Sequence, residues 1–240
     1  MKKYKLTVVV SVFLIVFSGI MSGSCYEYMY SGVEFYSSMY SYILNGIIFI
    51  CFVLIEKNTP LSGFSQNNLA KLVRIHSRRK ALMCEIVRIF VTMLLLEICE
   101  TLSVLAGSLL YGRKIMFFVL IQYFIMNYII KLFLILVQFL LEMSVAYNFA
   151  FLIVYAVFLC GLFSGQSLHE RMLEVQDIDK CKMYEMINRF NIANYTSLPR
   201  VNELTGSALI PAVVVVGLIF LTVGVLFVYI KRADLNVSRV

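Results

Sequence analysis

The chain has 240 residues, 61% of them hydrophobic and only 15% charged, with a mean hydropathy of +0.86. A soluble domain is about 45–50% apolar and about 25% charged; a core of this size cannot absorb the surplus, so a water-soluble globular protein is excluded and lipid is the natural solvent for it. The net charge of +7 lies largely in short runs beside apolar segments (Lys2, Lys3, Lys5; Arg78, Arg79, Lys80; Lys231, Arg232), without any aromatic–basic RNA-binding pattern, so it reads as membrane flanks and not as a nucleic-acid surface.

Taken in chain order, the sequence predicts an all-α, polytopic transmembrane helix bundle with about six spans in one membrane domain, 1–240. A span needs about 20 mostly apolar residues. The first is 6–22, preceded by three lysines and followed by Ser22-Gly23-Ser24. This layout also fits a secretory signal peptide; it is read here as an uncleaved helix. A loop rich in Tyr and Ser, with Glu27 and Glu34 and no Lys or Arg, leads to the second span, 39–55. Tyrosines at such a place suit an interfacial belt.

The polar segment 56–80 follows. Thr59-Pro60 and Ser62-Gly63 read as a turn, and the basic stretch from Asn67 to Lys80 reads as a partly amphipathic helix running into the third span, 89–111. The break Gly112-Arg113-Lys114 separates it from the fourth span, 115–141. The fifth, 145–163, follows after only Glu142, Met143 and Ser144, which leaves open one long bent helix in place of two. The second polar segment, 164–206, is expected to hold an amphipathic helix from His169 to Phe190, then a loop through Pro199. The last span, 207–230, carries no charge and stops at Lys231-Arg232.

Six cysteines are dispersed, without Cys-x-x-Cys or zinc-type Cys/His spacing, and both histidines, His76 and His169, sit in polar stretches, as expected of solvated or interfacial side chains and not of ligands. No phosphate-binding glycine loop, nucleophile elbow or His-Glu-x-x-His occurs. No enzyme activity, cofactor or metal site is therefore expected.

Charged residues inside spans are the informative exception, because each costs several kcal/mol if left unpaired in lipid. Three qualify: Glu97, Glu100 and Lys131. The two glutamates share a helix face. Lys131 lies 18 residues after Arg113 and Glu97 lies 16 before it. At about 1.5 Å per residue across an antiparallel hairpin they reach similar depth, which predicts an intramembrane ion pair. Such a pair either fixes helix registry or lines a pathway. Gly19-x-x-x-Gly23, Gly161-x-x-x-Gly165 and the Gly217/Gly224 pair are candidate close helix contacts. Asn194-Tyr195-Thr196 and Asn236-Val237-Ser238 match the N-glycosylation pattern, and Cys25 and Cys181 are a candidate disulfide if both face an oxidising compartment.

The stretch from Leu69 through Ile75-His76 and Leu82-Met83-Cys84 to Leu94-Leu95-Leu96 resembles the insect gustatory receptor family, as a divergent or truncated member; 154–175 resembles that family's penultimate span continuing as a polar helix. The family's final-span signature, Thr-Tyr followed by Gln-Phe, is replaced here by Leu221-Thr222-Val223-Gly224 and a lone Tyr229. The resemblance implies a tetrameric, ligand-gated cation channel in the plasma membrane, opened by small-molecule tastants. The alternative is a polytopic accessory or assembly protein without transport activity of its own; a small transporter built on the three charges is a third class. The expected partners are the lipid bilayer, further copies or other subunits in a homo- or hetero-oligomer, and a small-molecule ligand. With a cytoplasmic N-terminus, strict alternation of six spans puts 164–206 outside. The receptor topology needs the opposite, with a single crossing between 115 and 163.

Overall fold

The computed structural model describes residues 2–25, 32–37, 39–57, 78–112, 114–175 and 177–237; for 2–5, 24, 25, 78 and 230–237 it describes the backbone alone. The described residues contain helices and no strand. The long helices are α1 (Lys2–Cys25), α2 (Met39–Glu56), α3 (Arg78–Leu110), α4 (Phe117–Glu142) and α5 (Tyr147–Glu174). They are followed by α6 (Ile178–Phe190), a 3-10 turn (Ile192–Thr196), α7 (Leu198–Thr205) and α8 (Leu209–Val237). Five of these, α1, α2, α4, α5 and α8, are long and apolar enough to cross a membrane by length and composition. With α3, which lies among them and carries Glu97 and Glu100, they form a membrane-embedded bundle of about six spans. The predicted basic helix 67–80 lies outside the described residues up to 77; its last three residues open α3.

The bundle has two ends. One gathers the start of α1, the end of α2, the start of α3 and the turn between α4 and α5; the other gathers the end of α1, the loop 32–37 and the described residues of 174–209. Helices α1 and α3 run parallel and touch backbone to backbone. A Cβ on Gly107 would lie 2.3 Å from Ile20 O, one on Gly23 2.3 Å from Val104 O, and one on Gly19 2.7 Å from Ser103 Cβ. In lipid, where hydrophobicity no longer drives helices together, such close approach supplies the packing. Helix α2 runs antiparallel to α5, with Phe49 on Phe158 (centroids 4.0 Å apart) and Tyr42 stacked on Phe163. Helix α4 is the hub, touching α2, α3, α5 and α8.

The separate spans expected at 115–141 and 145–163 are two helices, α4 and α5, joined by a turn at 143–146 and each long and apolar enough to cross a membrane, so the open alternative of one long bent helix falls away. Several boundaries differ from the sequence reading. Helix α5 does not stop at Phe163 but runs to Glu174, since nothing in Ser164–Glu174 breaks a helix. The expected single helix from His169 to Phe190 is instead cut after Glu174, where Val175 turns extended and Asp177 caps a new helix by accepting from Asp179 N (3.0 Å). The expected loop through Pro199 is a 3-10 turn and a short helix. Pro199 sits at its start, where no intrahelical N–H is required, and Gly206 ends it at φ +67°.

Candidate functional site

Three polar groupings hold the bundle, one at its centre and one at each end. At the centre, α3 and α4 form the antiparallel hairpin expected from the tight break, with Gly112 at φ +66° in the turn. Their facing sides bring Glu97, Glu100 and Lys131 together. Lys131 Nζ lies 3.2 Å from Glu97 Oε2 and is also bonded to Glu100 Oε2. Asn127 Nδ2 donates to Glu97 Oε1 (2.8 Å) and Glu100 Oε1 (3.2 Å), and Tyr123 Oη donates to Glu100 Oε1 at 3.4 Å. The Phe52 ring of α2 closes the remaining side, 4.4 Å from the ammonium. Glu97 is 0% exposed and Lys131 1%.

All four carboxylate oxygens are engaged by donors from α4. No group of three His, Cys, Asp or Glu placed to hold a metal occurs among the described residues. The ammonium and both carboxylates are thus bonded to one another and to Asn127 and Tyr123. What the arrangement can do is fix the register of α3 against α4, because a slip of either helix by one turn leaves charges unpaired in lipid. Sequence reasoning missed Asn127 and Tyr123. The signal was available, since Tyr123, Asn127 and Lys131 recur every four residues on one face of an otherwise apolar helix.

At the end that carries the α4–α5 turn, Arg88 Nη2 meets Glu56 Oε2 at 3.0 Å and its Nε meets Glu85 at 2.8 Å, tying α3 to α2. Gln138 Nε2 donates to Glu142 Oε1 (2.7 Å) and to Val53 O (3.3 Å). Lys57 reaches over Phe151 and Tyr147 at the start of α5.

The opposite end is built around Arg200, which is fully buried. Its Nε donates to Val33 O (2.9 Å); Nη1 donates to Asn194 Oδ1 (2.8 Å) and Leu162 O (3.2 Å); Nη2 donates to Glu34 O (3.3 Å) and to Tyr42 Oη. All five donors of the guanidinium fork are met, although burial pushes its pKa below the ordinary value. Gly32, at φ +106°, lets the loop 32–37 close on the turn before α7; a Cβ there would lie 2.6 Å from Ser197 Cα. Residues 164–206 therefore share an end with the loop between α1 and α2, as strict alternation requires. For His169 the solvated alternative is corrected. The residue is 1% exposed and stacked on Phe35 with centroids 4.2 Å apart, and its Nε2 lies 3.0 Å from Tyr36 Oη and 3.2 Å from Glu203 Oε1.

Comparison of the chain with protein-family models, with curated proteins and with solved structures finds no match.

Asn194 corrects a further expectation. It is fully enclosed: Nδ2 donates to Asn188 Oδ1 (2.6 Å) and Asn188 O (3.0 Å), while Oδ1 receives Arg200. A glycan on that nitrogen is incompatible with this packing, so the residue is a structural bridge. The side chain of Asn236 lies outside the described residues. Cys181 is a partly buried free thiol, and the side chain of its candidate disulfide partner, Cys25, lies outside the described residues. Gly161 and Gly165 do not receive another span. They leave room for the 3-10 turn, a Cβ on Gly161 falling 2.7 Å from Ala193 Cβ, whereas Gly217 and Gly224 face open space.

Proposed function

We propose that the chain is a polytopic accessory or assembly subunit of a membrane complex, without catalytic or transport activity of its own. The observation that carries this reading is the central cluster, in which the only charges at mid-depth among the described side chains are enclosed and bonded to one another. A conducting or transporting site needs groups that exchange partners with a passing ion, and binding weak enough to release it. The reading also fits the exposed apolar faces of α1, α5 and α8, which suit lipid and neighbouring subunits in a homo- or hetero-oligomer. The receptor resemblance asks for one crossing between 115 and 163 and for 164–206 at the end opposite the 32–37 loop. The separate helices α4 and α5 and the Arg200 bonds to Val33 and Glu34 weigh against it. The plasma membrane is the proposed location, with the N-terminus cytoplasmic.

The test is reconstitution of the purified chain in sealed vesicles, with proton and monovalent-cation flux measured under an imposed gradient. The expected flux equals that of empty vesicles. A flux above that level, lost in Lys131→Met or Glu97→Gln, overturns the proposal and restores the pathway reading.

A further inference from the structure

Helix α6 presents an apolar side that none of the described residues covers. Asn188 is its one buried residue. Met183, Met186, Ile187 and Phe190 recur at the three- and four-residue spacing of one helix face and are all exposed, Phe190 at 78%. That spacing puts them on the side away from Asn188 and hence away from the bundle.

The level at which this face sits follows from the hairpin that α6 makes with α5. After the break at 175–177 the chain folds back, and Asn188 Nδ2 donates to Gly165 O (3.1 Å) while Asn191 Nδ2 donates to Gly161 O (2.6 Å). The last two turns of α6 thus lie beside Gly161–Gly165. Helix α5 starts at Tyr147. With the start of α5 at one edge of a hydrocarbon core about 30 Å thick, Gly161–Gly165 lie about 21–27 Å along the helix, just inside the opposite edge.

The charge along α6 is graded in the same sense. Asp179, Lys180 and Lys182 lie on the distal half, nearest the 175–177 break. On the half beside α5, the two charges, Glu185 and Arg189, pair with each other at 2.6 Å on the flank of the helix.

We propose that α6 is an interfacial membrane helix, its Met183–Met186–Ile187–Phe190 face embedded in the boundary between lipid headgroups and acyl chains at the Arg200 end of the bundle. An amphipathic helix with its apolar side at that depth is stabilised by the lipid it displaces from water. The driving force is apolar burial, because the helix carries three basic and two acidic residues and little net charge; the placement does not require anionic lipid. The polar block 164–206 is then partly seated in the membrane.

The chain contains no tryptophan, so a single introduced indole reports its own surroundings. The full chain carrying Phe190→Trp, and separately Lys182→Trp, is reconstituted in phosphatidylcholine vesicles whose acyl chains are brominated at shallow or at deep positions. The expected result for Phe190→Trp is blue-shifted emission, quenched most by shallow bromines and roughly twofold or more beyond Lys182→Trp. Lys182→Trp is expected to emit to the red and to be quenched by aqueous iodide. Iodide quenching of Phe190→Trp as strong as that of Lys182→Trp overturns the proposal, since the face is then in water. Blue emission insensitive to bromine at either depth also overturns it, since protein then covers the face. Strongest quenching by deep bromines overturns the interfacial level.

Discussion

Replacing Lys131 by methionine keeps most of the side-chain volume and removes the only cation of the central cluster. Lys131 Nζ is 3.2 Å from Glu97 and bonded to Glu100, with both carboxylates buried. At an effective dielectric of about 20, one such pair at that separation is worth about 5 kcal/mol of attraction. The substitution forfeits two attractions and leaves two neighbouring carboxylates facing each other, a cost that protonation of one of them limits. The expected loss is about 3–5 kcal/mol, the range found when one partner of a buried pair is removed. The triple variant Lys131→Met, Glu97→Gln, Glu100→Gln removes the charges together and is expected to recover to within about 1–2 kcal/mol of the native chain. Both are measured by unfolding in mixed micelles of mild detergent and dodecyl sulfate. A single variant within about 0.5 kcal/mol of native stability, or a triple variant no more stable than the single, would falsify the registry role.

Three more outcomes follow from the packing. Gly107→Ala places a methyl against the Ile20 backbone and is expected to cost about 1–3 kcal/mol, whereas Gly217→Ala, with open space around it, is neutral or stabilising by up to about 1 kcal/mol; equal melting temperatures in detergent would refute the α1–α3 contact. Arg200→Lys cannot reproduce a five-donor fork and should cost at least about 2 kcal/mol, with faster amide hydrogen exchange in both 32–37 and 192–205; faster exchange in only one of them would show that Arg200 does not join the two. In sealed vesicles, single-cysteine chains retaining Cys84 or Cys181 are expected to react with an impermeant thiol reagent from opposite faces, since the two sit at opposite ends of the bundle; labelling from the same face rejects the alternating topology.

The spans were legible because lipid tolerates only long apolar runs whose backbone is bonded within the helix. The three central charges were legible for the same reason, as rare costs in an apolar setting. The features around Arg200 were hidden by their context. In the polar stretch 164–206 a buried arginine and a buried histidine look like any solvated pair, and their partners at Val33, Glu34 and Tyr36 lie more than 130 residues away. The cut after Glu174 was hidden too. The apolar spacing carries on through it, and only the capping geometry at Asp177 and the tether from Asn188 to Gly165 reveal that the chain turns back.

The parallel contact between α1 and α3 sets an order of events during synthesis. Gly107 emerges 84 positions after Gly23, and α2 must cross the bilayer in between. At about 5–20 residues per second, the first helix waits about 4–17 s before the surface that matches its two glycines exists. Throughout that interval its narrow, small-residue face is open to whatever other helix drifts past. A part of the chain made early is thus held by a part made much later, so the ribosome's timetable, as well as the finished packing, bears on whether this bundle assembles.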